Sequence, residues 1–113
     1  MALVVNSSLG MSAGKVAAQV AHGAVKASFL AQERRPEVLS QWLSQGGRKI
    51  CLRFTDESEV QALQQRAEKR RIQTVEVRDA GLTEVPPNSL TVVVLGPGSS
   101  SKIEQLTSGL RLY

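Results

Sequence analysis

A long run of small residues after a short apolar stretch constrains the fold of this chain more than any other feature. The apolar residues 2–5 precede residues 13–25, where most side chains are small or β-branched. At about 100° per residue, Lys15, Gln19 and His22 share one face of a helix over this segment. A helix with such small side chains can lie very close to a sheet. Its polar face then needs a separate explanation. The position of Lys15 in particular needs an explanation, because the helix dipole disfavours a cation in the first turn.

A second polar segment, Asp-Ala-Gly-Leu-Thr at 79–83, follows the strand-like run 74–77. Ligands of open parallel α/β sheets bind beyond the carboxyl ends of the strands. Residues 10–15 and 79–83 both lie there if their strands run parallel. We therefore expect Asp79 to pair with Lys15 on the surface of one crevice. The alternatives are a solvated helix face for Lys15 and Gln19, and a hydrogen-bonded histidine at a helix–loop contact for His22.

The spacing of apolar and turn residues predicts one domain over residues 1–113, with the element order β-α-α-β-α-β-β-α. The predicted strands are 3–7, 49–54, 74–78 and 90–95. The first helix is expected over 13–32, and the second begins at Pro36. The predicted caps are Ser12 for the first helix, Thr55 or Asp56 for the third, and a capping box of Ser101 and Glu104 for the last.

The link before the last strand carries Pro86-Pro87 and no helical pattern. Parallel neighbours need a long crossover, so this strand is expected to run antiparallel to the others. Residues 91–95 form a continuous apolar run, which is typical of a strand covered on both faces. The predicted fold class is α/β: a three-layer α/β/α sandwich with a mixed four-stranded sheet, its last strand antiparallel.

Composition narrows the functional classes. A net charge of +4 on 113 residues favours anionic partners, nucleic acid first. With only 4% aromatic residues, base stacking is disfavoured, so any contacts to nucleic acid are expected mostly at backbone phosphates. We expect these contacts from some of the following basic residues: Arg34, Arg35, Arg48, Lys49, Arg53, Lys69, Arg70 and Arg71.

The sequence disfavours a structural zinc site, a membrane span and a reactive cysteine. One cysteine and one histidine are too few for a structural zinc site. Cys51 lies between Ile50 and Leu52, so we expect a buried, unreactive thiol. The sequence shows neither a signal peptide nor a stretch near the roughly 20 apolar residues of a membrane span.

Residues 10–15, Gly-Met-Ser-Ala-Gly-Lys, are similar to a phosphate-binding loop between a strand and a helix. The match fails because three residues instead of four separate the glycines, and Val16 stands where the magnesium-binding Ser or Thr belongs. Nucleotide hydrolysis is therefore disfavoured, and a nucleotide-binding module is the least favoured alternative. A helix N-terminus beside Lys15 can still attract a phosphate or a carboxylate.

Two motifs in register resemble the metal-free peptidyl-tRNA hydrolases of the archaeal and eukaryotic type. The similar positions are residues 3–5, Met11, 14–19 and His22 in the first motif, 79–83 in the second, and Pro87, Ser89, Thr91, 96–98 and 109–113 beyond it. The chain departs from the family at Asn6 and Ser8, where the family usually has an Arg and an Asp.

The resemblance implies a homodimer that hydrolyses the ester between a peptide and the 3′ ribose of tRNA, without metal or cofactor. Carried over by position, the catalytic region comprises Lys15, Gln19, His22, Asp79 and Thr83. A cytoplasmic location is expected, or a mitochondrial one if the native chain has an N-terminal extension. The competing hypothesis, suggested by Asn6 and Ser8, is a non-catalytic tRNA- or protein-binding descendant of the same fold.

The chemistry of these residues fits ester hydrolysis, which needs an activated water and a stabilised oxyanion. Asp79 can orient or deprotonate the water, and Lys15 can stabilise negative charge or bind the terminal phosphate. Gln19 and Thr83 can position groups through hydrogen bonds. His22 is the other candidate base, because imidazole changes its charge near neutral pH. The sequence leaves this choice open, and no Ser-His-Asp or Cys-His arrangement indicates a covalent intermediate.

The first two helices carry more apolar surface than a domain of this size needs. The surplus residues are Phe29 and Leu30 on the first helix and Trp42 and Leu43 on the second. A two-fold dimer built on these helices would bury them. The alternative is that the second helix folds over the first within one chain.

Overall fold

The computed structural model describes residues 1–81 and 84–113. In chain order its elements are β1 (Ala2–Asn6), a 3-10 turn (Ser7–Leu9), α1 (Ala13–Arg34), α2 (Pro36–Ser44), β2 (Ile50–Phe54), α3 (Glu57–Lys69), β3 (Thr74–Arg78), β4 (Leu90–Leu95) and α4 (Ser100–Thr107). The predicted order of helices and strands is confirmed. The predicted ends of the strands and of α1 agree to within two residues.

The four strands form one sheet in the order β2-β1-β4-β3. β1 pairs with β2 in parallel, and β4 runs antiparallel to both of its neighbours, β1 and β3. The first three strands therefore point the same way, and the predicted reversal of β4 is confirmed. As a result, the carboxyl ends of β1 and β3 lie at the same edge of the sheet.

Helices cover both faces of the sheet, so the predicted three-layer sandwich is confirmed. Successive residues of a strand face opposite sides, and this alternation divides the core into two clusters. One joins Leu3, Val5, Val75, Val92 and Val94 to Ala27 and Ala31 of α1 and to Leu39 and Trp42 of α2. The other joins Val4, Leu52, Val93 and Leu95 to Val60 and Leu63 of α3 and to Ile103 and Leu106 of α4.

α1 lies against the sheet with no room for a side chain at Gly23. A Cβ added there would lie 2.7 Å from Cγ2 of Val94 and 3.3 Å from Cγ2 of Val77. Real side chains almost never approach so closely. The small residues of α1 therefore permit the close contact that brings its N-terminal turn beside the end of β3.

Two of the predicted helix caps are confirmed and one is wrong. Ser12 caps α1 and Asp56 caps α3, each accepting a backbone N–H with its side chain. The capping box of Ser101 and Glu104 does not form, because α4 begins at Ser100, two residues before the start that a cap at Ser101 requires. Its N-cap is Ser99, whose Oγ accepts the N–H of Lys102 at 3.4 Å.

Trp42 belongs to the core, so counting it as surplus apolar surface was wrong. It is buried in the cluster with Ala31 and Leu39, and its Nε1 donates to the carbonyl of Arg48 at 3.0 Å. α2 therefore folds over α1 within one chain. Phe29 and Leu43 stay 70% and 57% exposed.

Cys51 on β2 is half-buried and packs against the first cluster. Burial raises the pKa of its thiol. Both observations agree with an unreactive side chain. Within the described ranges, no helix combines the length and apolarity needed to cross a membrane.

Candidate active site

The start of α1 and the end of β3 meet at an ion pair between Lys15 and Asp79. The Lys15 ammonium donates to Oδ1 of Asp79, and the two side chains are 12% and 4% exposed. The predicted pairing is confirmed. It accounts for a cation in the first turn of a helix, since the carboxylate offsets the unfavourable dipole. The expected position of Asp79 on the crevice surface was wrong, because the carboxylate is buried behind Lys15.

Asp79 is held by its backbone as well as by its side chain. Its N–H donates to the carbonyl of Ser89 at 2.9 Å, and its carbonyl accepts the N–H of Asn88 at 2.8 Å. Oδ2 accepts the N–H of Gly81 at 2.7 Å. The hydrogen bond from Lys15, followed by the one from Gly81, lowers the pKa of Asp79, although burial alone would raise it. The group is therefore a carboxylate at neutral pH, with both oxygens occupied.

Gln19 links this ion pair to the sheet. Its Nε2 lies 3.5 Å from Oδ1 of Asp79, and its Oε1 accepts the hydroxyl of Thr91 at 2.7 Å. The Thr91 hydroxyl also lies 3.0 Å from the carbonyl of Val77. Gln19 and Thr91 are both buried. A hydrogen-bonded chain thus runs from β4 through α1 to the carboxylate.

Thr91 is a residue that reasoning from the sequence left out of the candidate site. A signal was present, because Thr91 is the one polar residue in the apolar run 91–95. A buried hydroxyl requires a hydrogen-bond partner. Its partner could not be known without the pairing of β4 with β3 and the position of α1 above them.

Glu84 joins the loop after β3 to the beginning of α1. Its Oε1 accepts the N–H of Ser12 at 2.7 Å and the Ser12 hydroxyl at 3.0 Å. A carboxylate beside a helix N-terminus is electrostatically favourable. Together with the pair of Lys15 and Asp79, this contact ties the two polar segments together at two points.

The structure brings Lys15, Gln19 and Asp79 together. His22 lies three residues beyond Gln19 on α1, where it is exposed and makes no side-chain hydrogen bond with any described residue. Thr83, the fifth predicted site residue, lies outside the described residues.

Asn6 and Ser8 form a neutral network at the end of β1. Asn6 Nδ2 donates to the carbonyl of Leu90 at 2.9 Å. Its Oδ1 accepts the N–H of Ser8 at 3.1 Å and the Ser8 hydroxyl at 2.6 Å. The polar groups of this pair are therefore satisfied locally by neutral partners.

A carboxylate that fixes an ammonium beside an ordered amide suits chemistry in which negative charge develops. The ammonium and the amide are held before any ligand arrives, so little reorganisation is needed. Across residues 1–81 and 84–113, no group of three or more His, Cys, Asp and Glu side chains is placed to hold a metal ion.

Comparison with known proteins identifies the family of the chain. The family model "Peptidyl-tRNA hydrolase PTH2" matches residues 1–113. The chain belongs to this family. The family expected from the two motifs is thereby confirmed, and with it the expected enzyme class.

Relatives from archaea and animals are similar to the chain at about the same level. The peptidyl-tRNA hydrolase of Thermococcus sibiricus is 41% identical over 110 residues, which cover 97% of this chain and 93% of the relative. The human relative, "Peptidyl-tRNA hydrolase 2, mitochondrial", is 41% identical over 113 residues, which cover 100% of this chain and 63% of the relative. A probable peptidyl-tRNA hydrolase 2 of Drosophila melanogaster is 41% identical, and the match covers 60% of its length. The chain thus spans nearly all of the archaeal relative and less than two thirds of the two animal ones.

Proposed function

We propose that this chain hydrolyses the ester between a peptide and the 3′ ribose of tRNA by direct attack of water. Membership of the peptidyl-tRNA hydrolase family supports this reaction. The observation that carries the proposal at the level of residues is the buried ion pair of Lys15 and Asp79.

Lys15 supplies the charge that the reaction needs. Attack of water on an ester carbonyl converts its oxygen into an oxyanion, and a preorganised cation lowers the energy of that state. Asp79 acts as a positioning residue, because it holds the ammonium through Oδ1 while Gly81 holds Oδ2. Gln19, fixed by Thr91, provides an amide beside the same carboxylate.

We assign the activation of water to His22. Asp79 is a weak base, because its pKa is lowered and its oxygens already accept hydrogen bonds. Residues three apart on a helix are neighbours on one face, so His22 lies beside Gln19 and is open to solvent. An imidazole there can take a proton from water while Lys15 stabilises the oxyanion, and can return that proton to the 3′ oxygen of the ribose as the bond between the carbonyl carbon and this oxygen breaks.

Release of peptide from peptidyl-tRNA in the presence of a metal chelator tests the proposal, with binding of uncharged tRNA measured in parallel. Turnover supports the enzyme. Binding without turnover would instead support the non-catalytic descendant suggested by Asn6 and Ser8. We expect His22→Asn to lower kcat at least about 100-fold while tRNA binding is kept, and an unchanged kcat would remove His22 from the role of base.

We also infer that the partner of this chain is a second copy. Val25, Phe29 and Leu43 are exposed apolar side chains of α1 and α2, and a two-fold interface is the commonest way to cover such a surface. We place the protein in the cytoplasm, or in mitochondria if the native chain has an N-terminal extension. The human relative is named as a mitochondrial protein.

A further inference from the structure

A second polar region lies at the end of the sheet opposite the candidate active site. Asp79 follows the carboxyl end of β3, whereas residues 97–102 follow the carboxyl end of β4, which runs the other way. α1 connects the two ends, with Lys15 in its first turn and Arg34 as its last residue. At 1.5 Å per residue these two positions are about 28 Å apart along the helix.

This region contains a cleft of about 510 Å³ with cationic walls, which we call the arginine cleft. Its three cationic lining residues come from different parts of the chain: Arg35 after α1, Arg71 after α3 and Lys102 in α4. The serines at 99–101 line it as well. None of the described residues that line it is acidic.

A second cleft, of about 540 Å³, adjoins the first. Arg35 and Arg71 line both clefts, and the second continues from them to Arg34. One acidic residue, Glu68, is among those that line it. The two clefts together form a cationic track around the end of the molecule.

The cations of the arginine cleft have no carboxylate partner among the described residues. The ion pairs within those residues join Lys15 to Asp79 and Arg78 to Glu76. Arg35 donates to the backbone carbonyl of Arg71 at 3.2 Å, a neutral acceptor. Cationic side chains around a concave surface concentrate anions, and the guanidinium fork matches the oxygens of a phosphate.

We propose that the arginine cleft binds backbone phosphates of tRNA at a distance from the ester. The inference rests on the proposed function, because the bound RNA is its substrate. A continuous track with several cations suits a polymer of phosphates better than one small anion. The separation of about 28 Å along α1 means that these phosphates belong to nucleotides well away from the reacting 3′ end.

The test compares two triple variants that lose the same charge. The cleft variant combines Arg35→Gln, Arg71→Gln and Lys102→Gln, and so removes the three cationic side chains that line the arginine cleft. The matched control combines Lys26→Gln, Arg66→Gln and Arg111→Gln, because these two arginines and one lysine are exposed outside the cleft. Each variant is assayed on full-length peptidyl-tRNA and on a peptidyl ester of a short 3′-terminal oligonucleotide, after its unfolding temperature has been shown to match the wild type.

With the cleft variant, we expect kcat/KM on full-length peptidyl-tRNA to fall at least about tenfold at physiological salt, and the slope of log affinity against log salt to become shallower by about 2 to 3. The short substrate should be hydrolysed at the wild-type rate. Unchanged hydrolysis of the full-length substrate would overturn the proposal, and so would equal losses on both substrates or an equal loss in the control.

Two further measurements distinguish a small-anion site from an RNA site, and a failure of the proposed function from a failure of the cleft proposal. Inorganic phosphate should compete with tRNA only weakly, and tight phosphate binding that leaves tRNA bound would identify a small-anion site and overturn the proposal. If the wild type hydrolysed neither substrate, the proposed function would fail. Binding of uncharged tRNA, measured by fluorescence anisotropy, would still decide the role of the cleft.

Discussion

Gln19 on α1 and Thr91 on β4 are joined by a hydrogen bond of 2.7 Å although 72 residues separate them in the sequence. Both side chains are buried, so the bond fixes the amide of Gln19 against the sheet. The other end of that amide is then directed at Oδ1 of Asp79, the oxygen that also accepts from Lys15. The sheet thereby sets the position of the charged pair through one glutamine.

Thr91→Val tests this relationship, because it removes the hydroxyl and keeps the shape of the side chain. We expect kcat to fall about tenfold or more as Gln19 loses its anchor, and the free energy of unfolding to drop by about 1–3 kcal/mol. Thr107→Val is the matched control, since its buried hydroxyl donates to the carbonyl of Ile103 at 2.8 Å in α4. An equal loss of kcat in both variants would show that only stability had changed.

Acid should weaken the link between Lys15 and Asp79. In the folded chain, the hydrogen bonds from Lys15 and Gly81 lower the pKa of Asp79 below its usual value of 3.8. The unfolded state therefore binds the proton first as pH falls. The stabilisation is complete above the unfolded value and is lost as pH falls through the lowered folded value.

We accordingly expect the free energy of unfolding to decline below about pH 4, and less steeply in Asp79→Asn than in the wild type. Denaturant titrations across this range measure the difference. For comparison, the same titrations are made on Asp56→Asn, because a hydrogen bond from the backbone N–H of Ser58 lowers the pKa of this exposed carboxylate at the N-cap of α3. Parallel curves for the wild type and Asp79→Asn would contradict the assignment.

The pairing of Lys15 with Asp79 could be predicted because it follows from local patterns. The apolar runs predicted the strands, and the helical spacing placed Lys15 on a polar face. The parallel direction of β1 and β3 then brought residues 10–15 and 79–83 to one edge of the sheet. Thr91 escaped prediction because its partner depends on which strands are neighbours. The burial of Trp42 depends on how α2 crosses α1, a geometry that hydrophobic spacing does not determine. The arginine cleft joins side chains from three separate parts of the chain, and no motif links them.

Gly23→Ala tests the close approach of α1 to the sheet. Alanine favours a helix over glycine by about 1 kcal/mol, yet the new Cβ would lie 2.7 Å from Val94. We expect the steric conflict to outweigh the gain in helix propensity, so that the free energy of unfolding falls by about 1–3 kcal/mol in denaturant titrations. Gly14→Ala, in the same helix with no neighbour within 4 Å of an added Cβ, should be neutral or stabilising. Stabilisation by both substitutions would contradict the close contact.

The exposed apolar residues of α1 and α2 predict a dimer. Sedimentation at micromolar concentration should give about twice the mass of the 12.2 kDa chain. Phe29→Glu should dissociate the dimer, because it places a charge in the apolar interface. Leu112→Glu, at an equally exposed apolar residue near the C-terminus, should leave the dimer intact. A mass near 12.2 kDa that does not change on concentrating would exclude it.

The rate at which Lys15→Ala hydrolyses peptidyl-tRNA, with chelator present, tests the central role of the ion pair most directly. Lys26→Ala is the matched control, because Lys26 lies on the same helix and donates to the carbonyl of Glu76. The loss of Lys15 leaves Asp79 buried without its cation, so the unfolding temperature should fall and the assay must run well below it. We predict a rate at least about 100-fold below the wild type for Lys15→Ala and an unchanged rate for Lys26→Ala. A folded Lys15→Ala protein with a rate near the wild type would contradict the proposed site.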